Sequence, residues 1–298
     1  MSEAHHEGIG EQAGEYEGSE NHREQFAEAS QAHQLAMVAW RFTALSPVDR
    51  LLELTYRAEQ SHFWFRGFRQ YMRPAIARAT ANVIAPRILD CGCGTGSNLA
   101  MLRPYGNAVG FDLTRIGVAF AREHGHLVAQ ASIGQIPFRS GSFDLVTSFD
   151  VFQCLPDAVE RDAILEMFRV LKPGGWLLLH VAALEILHGK HSVLSEEVRR
   201  YTPARLRSLV TGGGFRIDRL TFDQASLLPI MLPVRMWHRF AAAAGQVSAG
   251  EGEITVPAAP INAALTALVS LEALALRVVN MPIGGSLMCL ARKPVGSG

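Results

Sequence analysis

The fold of this 298-residue chain is decided by one stretch, Arg87-Ile88-Leu89-Asp90-Cys91-Gly92-Cys93-Gly94-Thr95-Gly96. Its apolar start is typical of a short buried strand, and the residues from Ser97 to Leu102 that follow the glycines are typical of a helix. Glycines let the backbone turn tightly between the two elements and approach a ligand without side-chain clashes. The stretch therefore predicts a strand, a ligand-binding turn and a helix in direct succession.

Strands and helices keep alternating beyond this turn. Further strands are predicted at residues 108–112, 127–129, 143–149, 176–181, 215–222 and 286–292. Helices separate most of these strands, among them residues 115–123 and a later helix that Lys172-Pro173-Gly174-Gly175 ends. Such alternation predicts an α/β protein with a doubly wound, mostly parallel sheet.

Five segments are predicted along the chain. The first, residues 1–30, is expected to be a disordered acidic tail, because it carries too few large apolar residues to offset the cost of ordering the chain. The others are an N-terminal helical cover at 31–84, the core at 85–228, a helical cap at 229–284, and a final strand with its tail at 285–298.

The cap contains two apolar segments, near residues 229–244 and 260–280. Charged residues interrupt both, so neither is predicted to cross a membrane, which takes about 20 mostly apolar residues. We expect the cap to pack on the core. A lid over a lipophilic ligand, or weak contact with a membrane surface through residues 229–280, remains the alternative.

Bulk composition excludes some classes of partner. The formal net charge is zero and the pI is about 7.2, so we expect no nucleic-acid partner. The four cysteines form neither a CxxC pair nor a regular framework, which indicates reduced thiols, a cytoplasmic location and no metal site. The oligomeric state is left open.

An acidic residue, Asp112, ends the second predicted strand, about 20 residues after the turn, where a carboxylate can bind both ribose hydroxyls of a cofactor. The turn and this acid together predict a nucleotide cofactor. They fit a nicotinamide dinucleotide as well as other adenosine cofactors.

Two further features separate these cofactors. One is Asp90, placed before the first glycine; the other is the ordered set Pro137-Phe138, Phe143-Asp144-Leu145-Val146 and Leu171-Lys172-Pro173-Gly174-Gly175. With them, residues 87–219 resemble the class I S-adenosylmethionine (SAM)-dependent methyltransferases, specifically the type 11-like branch that acts mostly on small molecules. The resemblance implies a Rossmann-like, doubly wound sheet of seven strands, mostly parallel with the last antiparallel, and SAM as cofactor.

The resemblance also implies roles for individual residues. The SAM loop would be formed by Asp90, Cys91, Gly92, Gly94 and Gly96. Asp112 would bind the ribose, Leu113 would pack on the adenine, Ser132 and Ile133 would flank it, Phe149 would offer backbone contacts, and Asp150 and Gln153 would face the cofactor or substrate. Many relatives carry Asp at the position of Ser132, so adenine binding here is expected to depend more on Ile133 and backbone groups.

Ahead of the turn lies an aromatic and basic stretch, residues 62–69. Similar segments precede the SAM loop in bacterial methyltransferases of unassigned substrate. Arg66 is expected to pair with the SAM carboxylate, because a guanidinium binds a carboxylate bidentately. Trp64 or Phe63 is expected to lie beside the sulfonium. The alternative is an aromatic core cluster with its arginine on the surface.

After the fifth strand comes a polar segment from His188 to Tyr201. Ligands of this fold gather at the carboxyl ends of parallel strands, so the segment is expected to face the substrate. His191 is the predicted general base, since histidine titrates near neutral pH. Tyr201 is predicted to help hold the substrate, and Asp150 and Gln153 complete the catalytic candidates. A solvated loop before a helix is the alternative.

The resulting hypothesis is an SN2 transfer of a methyl group from SAM to O, N, C or S of a small, partly apolar acceptor. Three alternatives stay open at this point. They are a peripheral-membrane methyltransferase acting on a lipid or lipophilic acceptor, an NAD(P)-dependent Rossmann oxidoreductase, and a non-catalytic SAM-binding protein.

Overall fold

A computed structural model describes residues 46–189, 192, 195–243 and 254–295. The predicted tail of residues 1–30, the first part of the predicted helical cover and the predicted base His191 lie outside the described residues. None of the described helices is long and apolar enough to cross a membrane.

Helices and strands alternate through most of the described chain. The helices are α1 (Pro47–Ala58), α2 (Phe63–Thr80), α3 (Ser97–Leu102), α4 (Arg115–Glu123), α5 (Asp157–Val170), α6 (Pro203–Gly212), α7 (Leu228–Ala243) and α8 (Ala259–Ala275). The strands are β1 (Arg87–Cys91), β2 (Asn107–Asp112), β3 (Val128–Gln130), β4 (Phe143–Phe149), β5 (Leu171–Ala182), β6 (Arg216–Asp223) and β7 (Ser286–Arg292).

Seven strands of the described residues form one sheet in the order β3-β2-β1-β4-β5-β7-β6. The pairs β1–β2, β1–β4, β2–β3 and β4–β5 are parallel. The last strand, β7, lies between β5 and β6 and runs antiparallel to both. The predicted fold class, a mostly parallel, doubly wound sheet of seven strands with the last antiparallel, is confirmed.

Strand β5 begins earlier than the sequence predicts. Leu171 already pairs with Phe143, and the register then shifts before Leu145 pairs with Trp176. Gly174, with φ of +78°, absorbs this irregularity, and its amide donates to the Lys293 carbonyl beyond β7. The Lys-Pro-Gly-Gly motif is therefore a bulged start of the strand, which the sequence pattern had assigned to the helix end.

Helices cover both faces of the sheet. On one face α5 and α6 bury apolar residues such as Met167 and Leu206 against the strands. On the other face α2, α3 and α8 do so, with Met72, Leu99 and Val269 in one apolar cluster. The aromatic and basic stretch at residues 62–69 is thus the first half of a single long helix, α2, which begins at a His62 cap.

Helices α2 and α8 run side by side in the same direction. The Phe63 amide donates to Asn262 Oδ1 at 2.9 Å, and Tyr71 lies beside Glu272 further along. Between these contacts the helices touch at Gly67, where an added Cβ would lie 2.8 Å from Val269 Cγ2 and 3.0 Å from its Cβ. The absence of a side chain at Gly67 sets how closely the two helices pack.

We expect Gly67→Ala to lower the free energy of unfolding by about 1 kcal/mol. Overpacking against the stiff Val269 side chain costs about 1–3 kcal/mol, which exceeds the gain of roughly 1 kcal/mol in helix propensity. Urea denaturation measures the change. In a Val269→Ala background the same substitution should be neutral or stabilising. Gly212→Ala in α6, where an added Cβ meets nothing within 4 Å, is the matched control and should not destabilise.

Candidate active site

The turn between β1 and α3 is shaped by glycines and fastened to β2. Gly92 and Gly94 have φ of +78° and +49°, and a Cβ on Gly92 would lie 2.4 Å from Val151 Cγ2. The amides of Gly92 and Cys93 both donate to the Phe111 carbonyl, at 2.9 and 3.0 Å. These contacts exclude a side chain at Gly92 and hold the turn at the carboxyl end of β2.

Asp112 joins the turn to the start of α4. Its Oδ2 accepts a hydrogen bond from the Gly94 amide at 2.8 Å, and its Oδ1 accepts from the Thr114 amide and hydroxyl at 2.8 and 2.6 Å. Each carboxylate oxygen has two lone pairs, so acceptor capacity remains for a ligand hydroxyl. Asp112 therefore orders the loop and still offers a binding group.

A large cavity of about 1410 Å³ opens above this turn. Residues from the carboxyl ends of β1, β2, β4 and β5 line it, as expected for a parallel sheet. Of the residues predicted from sequence, the cavity lining includes Trp64, Gly92, Gly94, Asp112, Leu113, Ser132, Ile133, Phe149, Asp150 and Gln153. The structure thus brings together residues from five separate segments of the chain.

Three residues predicted for the SAM loop do not line the cavity. Asp90 is fully buried beneath the turn, where Thr147 Oγ1 donates to its Oδ1 at 2.7 Å, and burial raises the pKa of Asp90 to about 7. Cys91 is buried in the core. An added Cβ on Gly96 would collide with His126 and Ala121, so Gly96 allows α3 and α4 to pack closely. These three residues support the turn from below.

Arg69, rather than the predicted Arg66, faces the cavity from α2. Arg66, almost one helical turn before Arg69, is exposed and does not line the cavity. Arg69 Nη2 donates to the Glu59 carbonyl at 2.9 Å, and its Nη1 lies 3.5 Å from Ser97 Oγ. The helix orientation, which the sequence does not fix, decides which arginine points inward.

Glu59 borders the same part of the cavity. Thr95 Oγ1 donates to Glu59 Oε2 at 2.7 Å, so α1 is linked to the glycine turn. The side chain is buried, and its Oε1 has no hydrogen-bond partner among the described residues. Burial raises the pKa of Glu59, while Thr95 and nearby cations oppose the rise. A buried carboxylate oxygen without a partner is one that a ligand donor would satisfy.

Tyr201 does not face the cavity, contrary to the sequence prediction. It is buried, and its hydroxyl donates to Glu160 and lies 3.2 Å from the Phe152 carbonyl. Burial and the neighbouring Glu160 raise the pKa of Tyr201 well above its usual range. Tyr201 therefore anchors the polar segment after β5 to α5 and cannot contact a substrate in the cavity.

A buried histidine that sequence reasoning missed lies behind Asp150. His180 Nδ1 is 3.0 Å from Asp150 Oδ1, and His180 Nε2 is 3.2 Å from Asp223 Oδ1. His180 and Asp223 are each 1% exposed, whereas Asp150 lines the cavity. Burial lowers the pKa of His180, but the two carboxylates outweigh it and raise that pKa to about 10. His180 is thus an imidazolium held between two carboxylates at neutral pH.

Asp150 is fixed by its backbone as well as by this pair. Its φ is +56°, in the left-handed region, and its amide donates to the His180 carbonyl at 2.9 Å. Gln153, 4% exposed, has its Nε2 3.5 Å from Asp150 Oδ1. Such backbone conformations concentrate at functional sites, where the surrounding structure enforces them. The arrangement presents a carboxylate at the cavity wall in one defined position.

Comparisons with known proteins agree with this geometry. Residues 89–179 match the family model described as a methyltransferase domain. Among curated relatives, a malonyl-[acyl-carrier protein] O-methyltransferase of Herminiimonas arsenicoxydans is 32% identical over 47% of this chain and 54% of the relative. A phthiotriol/phenolphthiotriol dimycocerosates methyltransferase of Mycobacterium ulcerans is 26% identical over 49% of this chain and 53% of the relative.

These matches have limited extent. The chain spans about half the length of the first curated relatives it matches. Among solved structures, a methyltransferase in complex with the Haloferax volcanii Trm112 methyltransferase activator is 18% identical with a TM-score of 0.54, over 85% of this chain and all of that one. That likeness shows the fold alone. The family match runs from β1 to β5 and includes the glycine turn and Asp112, so this part of the chain is similar to a methyltransferase domain.

Proposed function

We propose that this enzyme binds SAM across the glycine turn and transfers its methyl group to a small, partly apolar acceptor held in the same cavity. One observation carries the proposal: a single cavity joins the glycine turn and Asp112 to the fixed carboxylate of Asp150. SAM, when bound, supplies an activated methyl group on a sulfonium. The residues of the chain bind the cofactor and acceptor, align them and exclude water.

The cofactor-binding assignments follow the cavity lining. Asp112 offers the remaining acceptor position of its Oδ2 to a ribose hydroxyl. Leu113, which is 67% exposed, and Ile133 provide apolar surface for the adenine. Ser132 Oγ already accepts a 3.3 Å hydrogen bond from the Gly134 amide, which leaves its hydroxyl hydrogen for an adenine nitrogen. The backbone of Gly92 and Gly94 lies where the methionine part would pass.

Two charged groups from the cover helices suit the amino-acid end of SAM. Arg69 presents a guanidinium, which matches a carboxylate bidentately. Glu59 presents a buried oxygen without a partner, which suits an ammonium. Both line the cavity next to Gly94 and Thr95. We assign Arg69 to the α-carboxylate and Glu59 to the α-ammonium of the cofactor.

Asp150 is assigned to the acceptor. Its carboxylate can accept a hydrogen bond from an acceptor O–H or N–H and receive the proton that leaves on methylation. His180 is not a base, because it is already protonated; it and Asp223 act as positioning residues for Asp150. His191, the base predicted from sequence, lies outside the described residues and stays a prediction, as does a catalytic role for Gln153.

The remaining cavity surface favours an acceptor with an apolar body. Beyond the cofactor region, Phe65, Phe68, Met231 and Ile254 line it. Phe68 contacts both Phe149 and His180 edge-on, with ring centroids 5.2 and 5.0 Å apart, and so brings apolar surface beside the Asp150 carboxylate. The two curated relatives are named for different acceptors, so the acceptor class is proposed from the cavity.

Cofactor binding and methyl transfer test the proposed function directly. We expect the purified protein to bind S-adenosylhomocysteine in calorimetry and to move label from methyl-labelled SAM into an organic-extractable fraction of small molecules. Asp112→Ala should weaken binding about tenfold or more, because it removes cofactor contacts and loosens the turn. Asp150→Asn should leave binding unchanged and abolish transfer. Absence of binding would overturn the proposal, and binding without transfer would favour a non-catalytic SAM-binding protein.

A second prediction separates the two arginines. Arg69→Met should weaken S-adenosylhomocysteine binding about tenfold or more, since a hydrogen bond to a charged group contributes roughly 1.5–3 kcal/mol. Methylthioadenosine, which lacks the amino-acid end, should bind the variant as it binds the wild type. Arg66→Met is the matched control and should change neither affinity. Equal losses for both ligands would show that Arg69 is structural.

A third prediction follows from the protonation state of His180. Its pKa rises from 6.5 to about 10 on folding, so its contribution to stability is complete below pH 6.5 and is lost as the pH rises through about 10. Imidazole NMR, assigned with His180→Gln, should show a cation through neutral pH. Asp223→Asn should lower that pKa, and His180→Gln should flatten the alkaline fall in the free energy of unfolding. Titration of His180 near pH 6.5 in the wild type would contradict the assignment.

A further inference from the structure

A second, smaller cleft of about 560 Å³ lies on the outer side of the cover, between α2 and α8. Its lining includes Arg66, Arg73 and Arg277 together with the polar Gln60 and Gln70. All three arginines are exposed, and none forms an ion pair or side-chain hydrogen bond among the described residues. The lining contains no acidic residue, so the cleft carries an uncompensated positive charge.

The cleft is positively charged because α2 and α8 pack side by side, and both α2 and the turn after α8 bring arginine side chains to it. Arg66 and Arg73 lie two turns apart on the same side of α2, and Arg277 follows the end of α8 opposite them. Arg69 lies between the first two; burial lowers its pKa, Glu59 opposes this, and Arg73 and Arg66 lower it further. These arginine charges repel one another because no acidic side chain lies among them. A bound anion would relieve the repulsion, so the cleft favours an anionic ligand.

Beside the arginines, α8 and the turn that follows it expose an apolar stripe. Leu271, Leu274 and Val278 are 66%, 55% and 85% exposed, and they follow one another at spacings of three and four residues. Near the start of the helix, Ile261 is also 56% exposed. The one charged residue between Ala259 and Ala275 is Glu272, which is buried. A surface helix in water usually carries polar residues on its outer face. The exposed apolar face of α8 is therefore typical of a surface that contacts another apolar surface.

We propose that α2 and α8 dock the protein on an anionic lipid bilayer, with the α8 stripe among the acyl chains and Arg66, Arg73 and Arg277 on the headgroup phosphates. Charge and apolarity occur together along one helix, and α8 is about 25 Å long at 1.5 Å per residue, a length that suits a helix lying flat on a surface. A guanidinium binds phosphate oxygens bidentately.

Docking in this orientation has a consequence for the cavity. Helix α2 also carries Trp64 and Phe65, which line the cavity. The membrane-facing elements are therefore the same ones that cover the substrate. The inference does not depend on the acceptor, because vesicle binding is measured without turnover.

The experiment is flotation of the full-length protein with vesicles of phosphatidylcholine alone or mixed with phosphatidylglycerol. We expect binding to the mixed vesicles only, and its reduction by salt. The triple variant Arg66→Gln, Arg73→Gln, Arg277→Gln should lower the partition coefficient about 100-fold, since each cation near an anionic surface contributes a factor of about five. Leu271→Ser with Leu274→Ser should lower it as well.

The matched control removes three other exposed arginines: Arg139, Arg161 and Arg207. Arg161 and Arg207 lie on α5 and α6, on the opposite face of the sheet, so this control should bind vesicles like the wild type. Unchanged S-adenosylhomocysteine binding and thermal unfolding show that each variant is folded.

Three outcomes would overturn the inference. One is no binding to either vesicle, and another is equal loss in the triple variant and its control. The third is another occupant of the face: a dimer in gel filtration that the serine variants dissociate, or binding to polyglutamate that the serine variants do not affect. If the wild-type protein did not bind S-adenosylhomocysteine, that result would contradict the proposed function and leave the membrane-docking inference unaffected.

Discussion

The Asp112 carboxylate is the contact on which the rest of the site depends. By accepting from the amides of Gly94 and Thr114, it fastens the glycine turn, the end of β2 and the start of α4 to one another. These hydrogen bonds, all within the protein, hold the turn with Gly92 and Gly94 in left-handed backbone conformations. A binding loop ordered in advance loses less entropy when it takes up its ligand. The affinity of the glycine turn for a ligand therefore depends on how the turn is attached to the sheet.

Around that fixed turn, the remaining groups enter from elements remote in sequence. Glu59 and Arg69 come from the helices that precede the sheet, and Asp150 comes from the end of β4. Each is held by a different contact: a threonine hydroxyl on the turn, a backbone carbonyl, and a buried imidazolium. The proposed cofactor end of the cavity is therefore tied to the glycine turn, whereas the proposed acceptor end is tied to β5 and β6 through His180 and Asp223.

Sequence reasoning predicted those parts of the molecule that are encoded locally. The glycine turn, Asp112 and the alternation of strands and helices follow from residues close together in the chain. His180 was missed because β4, β5 and β6 each contribute one member of its cluster, and no local pattern joins residues 150, 180 and 223. Arg66 was predicted to face the site, whereas Arg69 lines the cavity. The rotation of α2 depends on its packing against α8 at Gly67 and Val269, which the local sequence does not encode. Tyr201 was predicted to face the substrate, but its side chain is buried in the core and does not line the cavity. A segment close to the site can still direct individual side chains into the core.

The antiparallel strand β7 bears on how such a protein diversifies. Asp223 and Ser286 are paired neighbours at the ends of β6 and β7, so the excursion of residues 224–285 leaves and re-enters the sheet at a single point. Lengthening such an excursion costs little, because closure entropy grows only with the logarithm of its length. The sheet and the Asp150 carboxylate can then persist while residues 224–285 are replaced, so the cover of the cavity can change without a change of fold.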